Sequence, residues 1–306
     1  MTDTPTTRRQ PWVAVVLSLF ATGLGHIYCG RIVTGLVLFL ASLLFAPIAV
    51  AAAFMAPSTA VLVGLMAATI AVLGIHVYAV VDAYRVARKT RDHFEPREYN
   101  RGGVYALFIL VGVSYPPGVV HYLRANVFEA FSIPNASEVP NFLPGDHILV
   151  NKLTLQRRFP RRGDVVVFHN PRDRRLTWIK RVIALPGDTV AVRGNEVVVN
   201  GKKLEHDRVP AAGLSGIREA VDGQVFYETN AGSRYQIMLS PTSEAVADYP
   251  EKRVPEGACF VLGDNRNHSR DSREFGFVAL GEVFGLAEYI YYPAETWTRF
   301  GPSQEG

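Results

Sequence analysis

The chain has 306 residues, a length that accommodates two domains, with 48% apolar residues and a formal net charge of +4. Residues 1–124 hold 10 basic and 5 acidic residues and residues 125–306 hold 22 and 23, so the basic excess belongs to the first part and excludes a nucleic-acid footprint on the second. Two cysteines, Cys29 and Cys259, fall one in each part; they make no disulfide framework and sit in no metal-ligand cluster, so neither metal nor cofactor is implied.

The first 124 residues read as a membrane domain. No Asp, Glu, Lys or Arg occurs between Arg9 and Arg31, between Arg31 and Asp82, or between Arg101 and Arg124. A bilayer-spanning helix needs about 20 apolar residues. Three to four hydrophobic segments follow, at about 12–29, 32–55, 60–81 and 104–123, with a break expected at Met55–Thr59. The loop carrying Arg85, Arg88, Lys89, Arg91, Arg97 and Arg101 is cytoplasmic by the positive-inside rule, which places residues 125–306 on the extracytoplasmic face. An ordinary first span would then put Arg8 and Arg9 outside. Either segment 12–29 is re-entrant or interfacial, or the N-terminus is external. The segment reads as retained, since no small-x-small site ends it and His26-Ile27-Tyr28 before Cys29 is too bulky for lipoprotein processing. Residues 20–37 with Asp82-Ala83-Tyr84-Arg85 loosely resemble small two-helix membrane modules of unknown role. His26 and His76 read as packed or interfacial residues.

Residues 125–306 read as β. Val165–Phe168 and Thr177–Ala184 are apolar runs, Gly194-Asn195 divides a strand pair, and Asn200-Gly201 is a hairpin signal. Tyr227–Leu239 and Cys259–Leu262 add strands. Prolines and glycines punctuate throughout and no helical period is sustained, so the expectation is a mostly antiparallel β domain.

Three blocks in this half carry chemistry: SIPNASEVPNFLPGD (132–146), RRGDVVVF…TWIKRVIALPGD (161–188) and GDNRNHSRDSREFGFV (263–278). Ser137 lies in a Pro-flanked loop among Phe131, Ile133, Phe142 and Leu143, read as an apolar lip. Lys180 shares a strand face with Trp178 and Val182, opposite Ile179 and Arg181. Burying a lysine lowers its pKa, the property a lysine base needs at neutral pH. A serine with a strand lysine suggests Ser–Lys hydrolysis; His268 in the third block is the alternative base.

The order and wording of the three blocks resemble bacterial type I signal peptidase, over roughly residues 129 to 292. The resemblance implies a membrane-bound serine endopeptidase of the plasma membrane that acts on secretory precursor proteins and their signal peptides. It also implies a core β sheet with a smaller inserted β region, here about 195–258. Ser137 stands at the family's nucleophile position and Lys180 at its base. Ser269 matches the serine that orients the lysine, and Asp264, Arg266, Asp271 and Arg273 match an ion-pair scaffold below the site. The chain departs from the family at three positions. Asn135 replaces a hydroxyl that joins the oxyanion hole, Glu138 replaces Met and Asn141 replaces Thr. An amide N–H can serve an oxyanion as a hydroxyl can. Glu138 is expected to project to solvent at the cleft lip, because a carboxylate touching Lys180 would hold it protonated. A weak or inactive membrane-tethered peptide-binding paralogue is the alternative from another class. A self-cleaving repressor-type Ser–Lys protease is opposed by the membrane segments.

Overall fold

The computed structural model describes residues 8–53, 58–91, 94–95, 97–210, 214, 217, 223–240 and 248–303. The chain divides into two compact units, Met1–Ala125 and Asn126–Gly306.

The first unit is helical: α1 (Pro11–Phe20), α2 (Leu24–Tyr28), α3 (Ile32–Ala53), α4 (Ser58–Lys89) and α5 (Gly102–Asn126). Met66–Lys89 within α4 and Gly102–Asn126 are long and apolar enough to cross a membrane. The break expected at Met55–Thr59 falls mostly on residues 54–57, outside the described residues. Segment 12–29 is no straight span. Ten residues of α1 reach about 15 Å, half of a bilayer core. The chain then turns at Ala21–Gly23, where Gly23 takes φ +86°, and α2 runs on from there. A Cβ on Gly23 would lie 3.0–3.1 Å from the backbone carbon atoms of Gly35, so the turn packs directly on α3.

Both ends of this helix–turn–helix meet the same loop. The Arg9 N–H donates to Arg91 O (3.0 Å). The Arg9 guanidinium lies over the Phe94 and Tyr28 rings at 3.8 and 4.1 Å. Tyr99 donates to Gly30 O and Asn100 to Ile27 O. The two parts of the glycine-rich module also meet: His26, fully buried, bonds through Nε2 to Asp82 Oδ2 at 3.0 Å.

The second unit is built on an antiparallel eight-stranded sheet. Its strands are β1 (Phe128–Ser132), β2 (His147–Asn151), β3 (Val165–His169), β4 (Thr177–Ala184), β12 (Ala258–Leu262), β13 (Val278–Ala279), β14 (Val283–Tyr292) and β15 (Gly301–Pro302). The order is β1-β2-β14-β3-β4-β12-β13, with β15 beside β14. Between β4 and β12 the chain inserts two smaller sheets. One is β11-β5-β6-β7, from β5 (Thr189–Arg193), β6 (Glu196–Val199), β7 (Lys202–Lys203) and β11 (Tyr249–Arg253); the other is β10-β9-β8, from β8 (Glu205–Arg208), β9 (Gln224–Asn230) and β10 (Ser233–Leu239). Two one-turn helices, α6 (Leu153–Arg157) and α7 (Ser272–Phe275), complete the unit. The β6–β7 hairpin turns at Asn200-Gly201, both at positive φ (51° and 73°), as a primed two-residue turn requires. Most of the 211–223 stretch lies outside the described residues.

The core corrects one expectation. Ile133 and Phe142 are buried with Ile148, Val150, Val165, Val167, Ala287 and Ile290, and Leu143 is buried with Val139 and Met238. These side chains anchor the loop from beneath and form no lip. Phe131 packs partly buried on the first group. Burying each such side chain stabilises by about 1.5–3 kcal/mol, which fixes the loop on the sheet.

Candidate active site

Strand β1 runs out at Ser132, and five residues later a single 3-10 turn, Ala136–Glu138, presents Ser137. Asn135 caps that turn: its Oδ1 accepts from the Ser137 N–H at 3.1 Å. The Asn135 side-chain oxygen thus occupies the Ser137 N–H, and any other acceptor would have to displace it to use that donor.

Strand β4 pairs with β3 in the register Val166↔Lys180 and Val165↔Arg181. That register sends Lys180 under the nucleophile loop, with only 4% of the residue exposed. Its Nζ lies 2.8 Å from Ser137 Oγ. His268, by contrast, is an exposed loop residue.

Glu138 overturns the reading of its sequence. It does not project to solvent: it is fully buried, its Oε1 accepts from Lys180 Nζ at 2.7 Å, and Ser137 Oγ donates to the same oxygen at 3.2 Å. A 3-10 turn has about three residues per turn, so a residue beside an outward nucleophile is rotated inward. Burial raises the Glu138 carboxyl to about 7; Lys180 opposes that rise and the charge of Asp264 adds to it. Its second oxygen, Oε2, is buried with no hydrogen-bond partner.

Ser269 also differs from expectation. Its Oγ is buried without a partner, so it does not orient Lys180. The Ser269 side chain instead packs against Gly263, where an added Cβ would collide with it and would lie 2.7 Å from Ser137 O. Asn265 clamps the same loop, its N–H donating to Ser137 O and its Nδ2 to Ala136 O, both at 3.1 Å.

Below the dyad lie three ion pairs. Asp264 receives Arg181 Nε and Nη2, each at 2.6 Å, and both residues are buried. Arg266 forks onto Glu228 at 2.5 and 2.8 Å, where Tyr235 OH and His206 Nε2 also bond. Burial alone would raise the Glu228 carboxyl, yet Arg266, with His206 and Tyr235, holds it at about 2. Arg273 pairs with Asp271, which also accepts from the Gly263 N–H. Of the four scaffold residues, Asp271 and Arg273 pair with each other, while Asp264 and Arg266 take outside partners, Arg181 and Glu228. Asn141 Nδ2 donates to Asp264 Oδ2 and to Gln236 O, both at 2.7 Å, tying the nucleophile loop to this layer.

A hydroxyl touching a buried amine, on a loop beside a sheet edge, is equipped for acyl transfer. Among the described residues no group of three or more His, Cys, Asp or Glu could hold a metal ion.

The model of the family described as "Signal peptidase, peptidase S26" matches residues 104–292. A signal peptidase I of Aquifex aeolicus is 36% identical over 202 residues, covering 56% of this chain and 79% of that protein. One from Bacillus caldolyticus is 33% identical over 175 residues, covering 57% and 85%. A crystal structure of a signal peptidase I from Enterococcus faecalis shares 33% identity, covering 42% of this chain and 97% of that one; its TM-score of 0.26 carries no weight for the fold.

Proposed function

The chain belongs to the signal peptidase, peptidase S26, family of serine endopeptidases, and from that premise we propose that it is a membrane-bound leader peptidase working through Ser137 and Lys180. The observation that carries the mechanism is the 2.8 Å approach of Ser137 Oγ to a lysine that is 4% exposed. A precursor segment adds in extended form along β1, the end strand of the sheet, which leads straight to the nucleophile. Small side chains at the first and third positions before the cut are what the family implies.

Neutral Lys180 takes the Ser137 proton, and Ser137 Oγ attacks the scissile carbonyl. The Ser137 N–H, released by Asn135, and the Asn135 amide N–H stabilise the oxyanion. The Lys180 ammonium then protonates the leaving amine; a water gives its proton to Lys180 and attacks the acyl carbonyl, and Lys180 passes that proton to Ser137 Oγ as the acid product leaves. The expected signature is all-or-none. In the purified full chain with a secretory precursor, Ser137→Ala and Lys180→Met each abolish cleavage with folding intact. The double variant loses no more, because the two act as one unit. Turnover surviving in Ser137→Ala sinks the mechanism.

The same reading places the basic 85–101 loop in the cytoplasm, α5 crossing outward, and residues 125–306 on the outer face. It makes α1–α2 a re-entrant hairpin, supported by the contacts that bring both of its ends to the basic loop. Arg9, Arg31 and the loop arginines then share one side of the membrane. The non-helical turn at Ala21–Gly23 is covered by α5 residues such as Phe108 and Val111, as backbone at membrane depth demands.

A further inference from the structure

We infer that Glu138 is a positioning residue of the site: its carboxylate, in place of the Ser269 hydroxyl, holds Lys180 and sets the pH above which Lys180 accepts the Ser137 proton. The inference rests on the Ser–Lys reading and goes beyond it. The geometry is direct. Glu138 Oε1 is 2.7 Å from Lys180 Nζ and 3.2 Å from Ser137 Oγ. The hydroxyl that would otherwise orient the lysine, Ser269 Oγ, is buried nearby in the fold with no partner at all.

The charges that face the pair come from three places. Lys180 and Arg181 come from β4, Glu138 from the 3-10 turn, and Asp264 from the loop after β12. The Arg181 fork is spent on Asp264, whose two oxygens it binds. Glu138 is thus the carboxylate in direct contact with Lys180. Its Oε2 makes no hydrogen bond, so charging this carboxyl in the dry site is costly.

The sign follows from which form of lysine works. Ser137 can pass its proton only to a neutral Nζ. An ionised carboxylate in contact favours the ammonium, typically moving a titration by about 1–3 pH units. The chain therefore carries a brake on its nucleophile: cleavage rises on the alkaline side, and the dyad is largely idle where Lys180 and Glu138 form an ion pair.

The test compares wild type with Glu138→Gln, Glu138→Met and Ser269→Ala as full chains in detergent. Two readouts are taken against pH: kcat/KM on a leader peptide, and the titration of Lys180 Nζ by NMR of 15N-labelled lysine, assigned with Lys180→Met. Removing the charge is expected to move both the acid limb and the Lys180 titration down by about one to three pH units. At a pH below the wild-type limb, kcat/KM then rises at least about tenfold. Ser269→Ala leaves both where they were.

An unmoved Lys180 titration in both Glu138 variants overturns the inference. So does a limb that moves up, or activity lost at every pH with the melting temperature retained, which would make Glu138 the base itself. Glu138→Met covers the case in which the Gln variant does not fold. The lysine titration reads the coupling whether or not leader peptides are cut, so failure of the peptidase reading and failure of this inference remain distinct.

Discussion

Gly263→Ala is the substitution whose consequence follows most directly from the packing. Gly263 follows β12 where the third block passes under the Ser137 loop, and backbone meets backbone there. An alanine Cβ would sit 2.7 Å from Ser137 O, against about 3.4 Å for an ordinary contact. It would also strike the Ser269 side chain. Rotating Ser269 clears its Oγ but not its Cβ, which the new Cβ would also overlap, so the Ser269 backbone must shift too. Ser137 O cannot move freely, because the Asn265 N–H grips it at 3.1 Å. The strain is therefore shared by the Ser269 and Ser137 loops, and about 0.7 Å of it has to be found between the Gly263 and Ser137 backbones. Overpacking of this kind costs about 1–3 kcal/mol, or about 2–12 °C in Tm for a unit of this size. A misplacement approaching 1 Å at a reacting atom costs about a hundredfold, so kcat should fall about ten- to a hundredfold with KM little changed. The assay is steady-state cleavage of a fluorogenic leader peptide by the full chain, with Tm measured in parallel. Gly281→Ala, where an added Cβ meets nothing within 4 Å, is the control. Adding Ser269→Gly to Gly263→Ala should recover part of the Tm and little of the kcat. Native kcat and Tm in Gly263→Ala would refute the argument that this loop fixes Ser137.

Two further outcomes follow from the charge layer and the membrane unit. Glu228 is held at about 2 in the fold against an ordinary 4.5. A depressed carboxyl contributes stability above its unfolded pKa and loses it as pH falls through the folded value. About 3 kcal/mol should therefore vanish between pH 4.5 and 2. Glu228→Gln should cost about 3–5 kcal/mol at neutral pH by leaving Arg266 buried and unpaired. It should also flatten that acid loss in urea titrations; an unchanged acid slope contradicts the assignment. In intact spheroplasts, external protease should digest residues 125–306 and a tag on the N-terminus should stay protected, as the re-entrant hairpin requires. A digested N-terminal tag would make segment 12–29 a full crossing.

Much of the site was legible because its signals are local. Lys180 stands out as a charge inside Thr177–Ala184, although alternation, which puts Arg181 on the other face, does not show that both are buried. The β content, the insertion and the Asn200-Gly201 turn follow from runs and turn residues a few positions apart. What escaped is what only the tertiary fold decides. Arg181 finds Asp264 83 positions away, and Arg266 finds Glu228 at a separation of 38. Glu138 is expected at the solvent because a carboxylate on Lys180 would hold the lysine protonated, yet the fold buries both and puts them in contact. For segment 12–29 the charge pattern leaves a re-entrant segment and an external N-terminus both open, and composition does not register the αL turn at Gly23 that ends its first helix.

The three departures from the family pattern have different physical standing. Asn141 keeps the nucleophile loop bonded to Asp264, and through it to Arg181, so the layer under the site stays closed. Asn135 spends its oxygen on the Ser137 N–H, which caps the turn that carries Ser137. Glu138 alone adds charge at the reacting atoms. Buried ion pairs seldom add stability over apolar packing, and an apolar side chain would fill the same space without a desolvated Oε2. Among the described residues the carboxylate bonds only Lys180 Nζ and Ser137 Oγ, so whatever offsets that cost has to be sought in its effect on this pair.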